Sequence, residues 1–340
     1  MSAHEKAHVS SHLITLIERH WPIFRVVRLR RIRRGLVNQN FKVTVAGGQH
    51  YVLRLYHPEI GTARIGQEHA LLERLKKAGF SLSPRLVAPK TPPTWKPVAL
   101  PEEAHHYLAL MTHLPGEDRY TWEAPPQSTA AADALGAALA RYHEAIQGWL
   151  PLADDIAAKE VDMVRRLGMT LGNEARALAT LESLSPALAD LDRSAWPVLM
   201  VHGDFHAANV RWAEEDRICG IFDFEYAAPN WRLYDVGMAA ACLATRWADA
   251  KLDDGRLNPA LLNAFTSGYD SAIDPEGSLP RLLSGEKAAL PHYLALSHLL
   301  TLEWVLTPAT RKRLGDTAAQ AYARHTRRAL ARLAQSDGLG

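Results

Sequence analysis

The sequence predicts an α+β fold in which a small antiparallel-sheet lobe precedes a large, mainly helical one. Three observations lead there. Apolar and polar residues alternate on both sides of Gly47-Gly48, helical alanine-rich patterning takes over from about Gln127, and short apolar strands near Val198 and Ile218 flank a dense polar cluster. The 340 residues, 47% hydrophobic and 22% charged, are ordinary for a globular chain and sufficient for two lobes.

Along the chain, Ser10 or Ser11 is read as the cap of a first helix whose Leu13, Leu16 and Ile17 share a face and which stops near Trp21-Pro22. "NFKVTVA" alternates Phe41, Val43 and Val45 against Lys42 and Thr44. Gly47-Gly48 is read as a two-residue hairpin turn, and "HYVLRLY" as the returning strand. From Ile65 to Lys77, Leu71, Leu72 and Leu75 recur at helical spacing until Gly79. "APKTPPTWKPVALPEEA", with five prolines, reads as a surface loop, and "HYLALMTHL" as a further strand. Helical patterns then cover Gln127 to His143, Val161 to Leu191 and most of the chain beyond Tyr234. The expected division is residues 1–114 and 115–340, with a hinge near Thr112 to Glu117.

Composition excludes several function classes. The formal net charge is only +2, although "RVVRLRRIRR" and "ARHTRRALARLAQ" are locally basic, so a nucleic-acid partner is not expected. Arg324, Arg327, Arg328 and Arg332 read as a solvated helix face, and Leu294, Leu299, Leu300 and Trp304 as core. Cys219 and Cys242 have neither disulfide-framework nor zinc spacing. The N-terminus lacks an apolar leader, and "LPHYLALSHLLTLEWVLTP" is interrupted by His and Glu, so neither export nor a membrane span is expected. A cytoplasmic protein is the expectation.

The chemistry concentrates in "VLMVHGDFHAANVRW" and the following "ICGIFDF". Val198 to Val201, "NVRW" and "ICGIFDF" read as short strands, the last two paired across the turn "AEEDR". Asp204 is followed by four residues and then Asn209, and Asp223-Phe224-Glu225 closes the next strand. Protein kinases space a catalytic Asp, an Asn and a metal-binding Asp in this way. Phosphoryl transfer needs a carboxylate for the proton of the attacking hydroxyl and oxygen ligands for Mg²⁺ at the phosphates. Asp204 suits the first role, and Asn209 with Asp223 the second.

"VHGDFHAANV" followed by "GIFDFEYA" resembles the signature of the aminoglycoside phosphotransferase and choline kinase superfamily, with a lean toward its homoserine-kinase-like branch. That resemblance implies a two-lobe protein-kinase-like fold, ATP and Mg²⁺ as cofactors, and the hydroxyl of a small molecule as acceptor. "GLVNQNFKV" is similar to the family's phosphate-covering loop, which implicates Gly35, Asn38 and Asn40. "YVLRLY" and "EHALLERL" resemble the strand and helix that supply the phosphate-binding cation and its glutamate, here Arg54 and Glu68. "LALMTHLPGE" resembles the hinge, which places the adenine near Met111 and Leu114. Asp235 in "WRLYDVG" resembles the buried aspartate that anchors the catalytic loop, and His202 is expected to brace it.

An arginine inside an apolar strand is costly unless it meets a partner, which supports Arg54 independently. His206 either contacts the acceptor or packs, and Glu225 touches metal, substrate or only the anchoring helix. Trp231 and Arg232 are further candidates for the acceptor wall. Two other readings stand beside the kinase. "GDFH" is also a fragment of metallophosphoesterase ligand sets, without the expected companions, and an inactive nucleotide-binding scaffold would keep the fold but lose one of Asp204, Asn209 and Asp223.

Overall fold

The structure is a computed structural model describing residues 3–23, 25–32, 37–98, 106–151, 155–245 and 255–335. The chain forms two compact units, residues 1–115 and 116–340.

In the first unit, α1 (Ala3–His20) leads into an antiparallel sheet of β1 (Val26–Ile32), β2 (Gln39–Val45), β3 (His50–Leu55), β4 (Lys96–Val98) and β5 (His106–Thr112), with α2 (Thr62–Lys77) between β3 and β4. The sheet order is β1-β2-β3-β5-β4. Leu13, Ile17 and Trp21 pack with Phe41, Val43, Leu53, Leu55, Leu108 and Leu110 into one apolar core. Full burial of each such side chain contributes roughly 1.5–3 kcal/mol against an extended chain. The strand period then decides where the chemistry goes: with Leu53 and Leu55 on the α1 face, Arg54 emerges on the other.

Several local expectations change. α1 begins at Ala3 rather than at a Ser10 or Ser11 cap. The hairpin is wider than two residues, since β2 ends at Val45 and β3 starts at His50, with Gly47 and Gly48 both at positive φ. β1 lies in the stretch read only as basic; its arginines obscure the alternation, and they suit an edge strand that must discourage further pairing. The proline-rich segment is not all loop, because β4 pairs with β5 through Lys96, Pro97 and Val98. Proline is tolerated there because β4 is the other edge. α2 closes in a Schellman arrangement, Phe80 N–H to Leu75 O at 3.0 Å and Gly79 N–H to Lys76 O at 3.1 Å.

The second unit carries α3 (Thr129–Ile146), α4 (Ile156–Thr170), α5 (Ala175–Ala189), β6 (Val198–Val201), β7 (Val210–Trp212), β8 (Ile218–Ile221), β9 (Ala228–Trp231), α6 (Leu233–Ala244), α7 (Pro259–Ala272), α8 (Ser284–Leu306), α9 (Pro308–Leu314) and α10 (Asp316–Leu333). Ser128 caps α3 through Ala131 N–H at 3.0 Å. β7 pairs with β8 as expected, and β6 pairs with β9, a strand concealed in "APNW". Leu294 and Leu299 are buried, whereas Leu300 and Trp304 are only partly covered. Arg324, Arg328 and Arg332 are exposed on α10, while Arg327 forks onto Glu174 at 2.6 and 2.8 Å. Among the described residues, no helix is long and apolar enough to cross a membrane.

Candidate active site

β6 ends at Val201 and delivers His202, Gly203 and Asp204 into a loop that is fixed from below. Asp235, fully buried in the first turn of α6, accepts His202 N–H at 2.6 Å and Gly203 N–H at 2.9 Å, one on each carboxylate oxygen. His143 of α3 donates Nε2–H to the same carboxylate at 3.1 Å and accepts Tyr269 O–H at 2.8 Å. Burial lowers the His143 pKa, with Asp235 opposing the shift. The ring is therefore a neutral hydrogen-bond bridge, and the backbone amides carry most of the support for the carboxylate charge.

Gly203 sits at φ +81°, and a Cβ there would run into the backbone carbonyl of Tyr226. That close approach locks the Asp204 loop to the segment after Asp223. His202 adds a second tie: Nε2–H donates to Phe222 O at 3.0 Å, and Nδ1 accepts Asp204 N–H at 3.3 Å, so a single neutral tautomer satisfies both.

Asn209 ends the single 3₁₀ turn Ala207–Asn209 and directs its amide nitrogen at Asp204, 2.8 Å from the backbone oxygen and 2.9 Å from Oδ2. Its own carbonyl accepts Phe222 N–H at 3.0 Å. The next residue, Asp223, adopts the left-handed conformation at φ 71° and ψ 55°, before the 3₁₀ turn Phe224–Tyr226. Such a conformation in a non-glycine residue stores strain and is characteristic of functional turns. Asp204, Asn209 and Asp223 are thus joined through adjacent backbone bonds, and the Asp204 side chain remains 28% exposed.

His206 is buried, and its Nε2 lies 2.9 Å from the indole nitrogen of Trp122 and 3.4 Å from Asp204 Oδ1. An indole N–H only donates, so Nε2 is the acceptor nitrogen and its passage by Asp204 is not an ion pair. Ala208 N also approaches Nδ1, at 3.2 Å. A neutral imidazole accepts on one nitrogen, and the shorter indole bond is the one assigned.

The first unit holds a separate charged cluster. Asn40 and Arg54 face each other across β2 and β3, and Arg54 donates Nε–H to Asn40 Oδ1 at 3.2 Å and Nη1–H to Glu68 Oε1 at 2.7 Å. Glu68 Oε2 accepts Tyr56 O–H at 2.8 Å, and His69 Nε2 lies 3.1 Å from the same hydroxyl. Burial, reinforced by Arg54, lowers the His69 pKa to about 4. Asn38 is buried and accepts His57 N–H at 2.9 Å. Met111 is buried in β5, Leu114 is half-buried just beyond it, and Gly35 lies outside the described residues.

Over residues 28–274 the chain matches the model of the Phosphotransferase enzyme family. The chain belongs to that family. It is 30% identical over 303 residues to a homoserine kinase of Xanthobacter autotrophicus, covering 82% of this chain and 81% of that one. Among solved structures, a microcompartment-associated aminopropanol kinase superposes with a TM-score of 0.71 at 19% identity, covering 97% and 99% of the two chains. An amicoumacin kinase solved with AMP-PNP, Ca²⁺ and Ami gives 0.67 at 16% identity, covering 95% and 96%. These structural likenesses show the protein-kinase-like fold. As a member of the phosphotransferase family, the protein is a small-molecule kinase acting on a hydroxyl.

Not every residue singled out in the sequence joins the cluster. Arg232 is completely buried: Nε and Nη2 fork onto Glu286 at 2.7 and 2.5 Å, Nη2 also reaches Arg281 O, and Nη1 takes Pro280 O. The expectation that it contacts the acceptor is corrected, because every nitrogen is already committed. Trp231 is buried in β9 with the Arg193 guanidinium 4.4 Å from its ring centroid, so it is not an open wall either. Glu225 is buried within its 3₁₀ turn.

The metallophosphoesterase alternative is not favoured. Among the described residues, no three His, Cys, Asp or Glu side chains gather as a metal-holding group, and His202 and His206 are committed to Phe222 and Trp122. Sequence reading missed Trp122, His143 and Tyr56. His143 did carry a signal, as a histidine on an apolar helix face between Leu139 and Ile146.

Proposed function

We propose that the protein transfers the γ-phosphoryl group of ATP, bound with Mg²⁺, to the hydroxyl of a small amino alcohol of the homoserine class. The observation that carries the reading is Asp204: a part-exposed carboxylate whose Oδ2 and backbone are pinned by Asn209 and whose loop is suspended from Asp235. The name of the Xanthobacter relative and the AMP-PNP and Ca²⁺ of the amicoumacin kinase support the acceptor class and the use of nucleotide with a divalent cation.

Asp204 orients the acceptor hydroxyl and takes its proton as oxygen attacks phosphorus. The bond from phosphorus to the β,γ-bridging oxygen breaks, and its electron pair leaves with ADP. Asn209 spends its amide nitrogen on Asp204, which turns Oδ1 into its remaining donor atom for a cation, and Asp223 supplies a carboxylate. Such a small set of hard oxygen donors would suit Mg²⁺. When bound, Mg²⁺ neutralises charge on the β- and γ-phosphates. Arg54, held by Glu68, is assigned to the nucleotide phosphates, its planar fork replacing a lysine point charge. Backbone near Asn38 and Asn40 covers the phosphates, and Met111 and Leu114 line the adenine. Cys219 and Cys242 form no disulfide, which suits a reducing cytoplasm.

The test is transfer of labelled γ-phosphate to homoserine, amino alcohols, sugars and aminoglycosides, with and without Mg²⁺. Metal-dependent labelling of homoserine or another short amino alcohol is expected. Labelling confined to sugars or aminoglycosides would replace the acceptor class, and no labelling in the presence of bound ATP would remove the catalytic reading.

A further inference from the structure

Trp122 and Glu123 lie in the connection between Gly116 and α3, ahead of the motif that carries Asp204. Besides the indole bond to His206 Nε2, the Trp122 ring meets the His206 ring edge-on at a centroid distance of 4.8 Å. Tyr322 of α10 is the next ring, 6.1 Å from Trp122, and Trp304 of α8 stands edge-on to Tyr322 at 6.3 Å. Tyr322 is buried and donates its hydroxyl to Glu123 Oε1 at 2.6 Å. Burial, then the bond to Glu123, pushes the phenol pKa up, so the hydroxyl keeps its proton and remains the donor.

A row of aromatic rings thus begins beside Asp204 and ends at a carboxylate fixed by a phenol. Tyr322 uses only one of the lone-pair positions that a carboxylate offers. Aromatic faces and an oriented carboxylate both attract a cation and neither attracts an anion. Among the described residues, Arg232 is committed to Glu286, and Arg166 to Glu303 at 2.9 Å. We infer that Trp122, Glu123 and Tyr322 form the subsite that receives the ammonium group of the acceptor while Asp204 holds its hydroxyl. This rests on the kinase reading above and adds to it the feature by which the acceptor is chosen.

Trp122 has a second task in this arrangement. By occupying the Nε2 lone pair of His206, its N–H keeps that imidazole from competing with Asp204 for the hydroxyl proton.

The test uses the full chain with Mg²⁺ and ATP. KM is measured for homoserine and 1-aminopropan-2-ol in the wild type, Glu123→Gln and Trp122→Leu, together with calorimetric binding of n-propylammonium and, as the neutral control, propane-1,2-diol. Glu123→Gln is expected to raise both KM values and weaken propylammonium binding by about tenfold or more, with the KM for ATP and the diol titration unchanged. Trp122→Leu is expected to do the same and to lower kcat as well. Propylammonium binding unaltered in both variants, or a wild type that turns over only acceptors without an amine, overturns the subsite. If the wild type phosphorylates nothing, the kinase reading falls, and the propylammonium titrations still decide the subsite. Circular dichroism and thermal melts establish that each variant is folded; Glu123 is exposed, so its replacement removes no core packing.

Discussion

Arg54 and Asp204 each carry a charge at the heart of one unit, and their surroundings differ in kind. Arg54 is buried and answered at close range by Glu68, whose other oxygen accepts Tyr56 O–H. Asp204 is held instead by an amide and a suspended backbone, and more than a quarter of its side chain faces outward. A buried pair of this sort contributes little net stability, yet breaking it is expensive because one charge is stranded. A carboxylate restrained by dipoles from one side keeps its other lone pairs for chemistry. On the proposed function, the difference separates a charge placed to be rigid from one placed to react.

Asp223 is the position at which substitution is expected to cost most. Asparagine tolerates the left-handed backbone, so Asp223→Asn should leave the fold intact and lower Mg²⁺-dependent kcat by about 10²–10³-fold. Steady-state kinetics with a thermal melt checks both halves, and near-normal turnover would take the metal away from this residue.

The Arg54 pair is tested by three variants. Arg54→Met alone strands Glu68 and should cost about 3–5 kcal/mol in urea unfolding. Adding Glu68→Leu should recover most of that loss without restoring ATP affinity. A double variant that binds ATP normally would make the pair purely structural.

At Asp235 the charge is again held by backbone amides, but with no exposure at all. Asparagine has one acceptor oxygen for the two N–H groups of His202 and Gly203, so Asp235→Asn should cost about 1–3 kcal/mol and lower kcat through a displaced Asp204. Unchanged kcat would show that the loop keeps its shape without the cradle.

The smallest effect expected is on pH dependence. Burial lowers His69 to about 4, and His298 and His325 to about 3, each from 6.5. The unfolded chain therefore binds more protons than the folded one below pH 6.5. Stability is fully present above that value and declines as pH falls toward the folded-state values. His298 Nε2 is buried without a partner, so His298→Leu should hold neutral-pH stability and flatten the acid slope by up to about 1.4 kcal/mol per pH unit. Melting temperatures from pH 7 to 4.5 provide the measurement, and an unaltered slope would assign the acid sensitivity elsewhere.

How much of this was legible in the sequence depended on the range of the interaction. Arg54 announced itself because a charge in an apolar strand demands a partner, and Glu68 lay one helix away. The polar run from His202 to Asn209 stood out for the same reason. Arg232 misled because its answer, Glu286, lies on a different helix and no local pattern links them. β1, β4 and β9 were missed where arginine or proline masks the period-two signal that pairing with a neighbour restores. Trp122 was invisible for a related reason: an aromatic in a loop signals nothing until the fold brings it to His206.

The central claim is that Asp204 acts on the acceptor hydroxyl and not on the nucleotide. Single-turnover transfer from Mg²⁺-ATP, with ATP binding titrated alongside, measures it in the wild type and Asp204→Asn. The account predicts a transfer rate lower by about 10²–10⁴-fold with the ATP dissociation constant unchanged. Transfer at the wild-type rate, or a collapse of ATP binding, would contradict it.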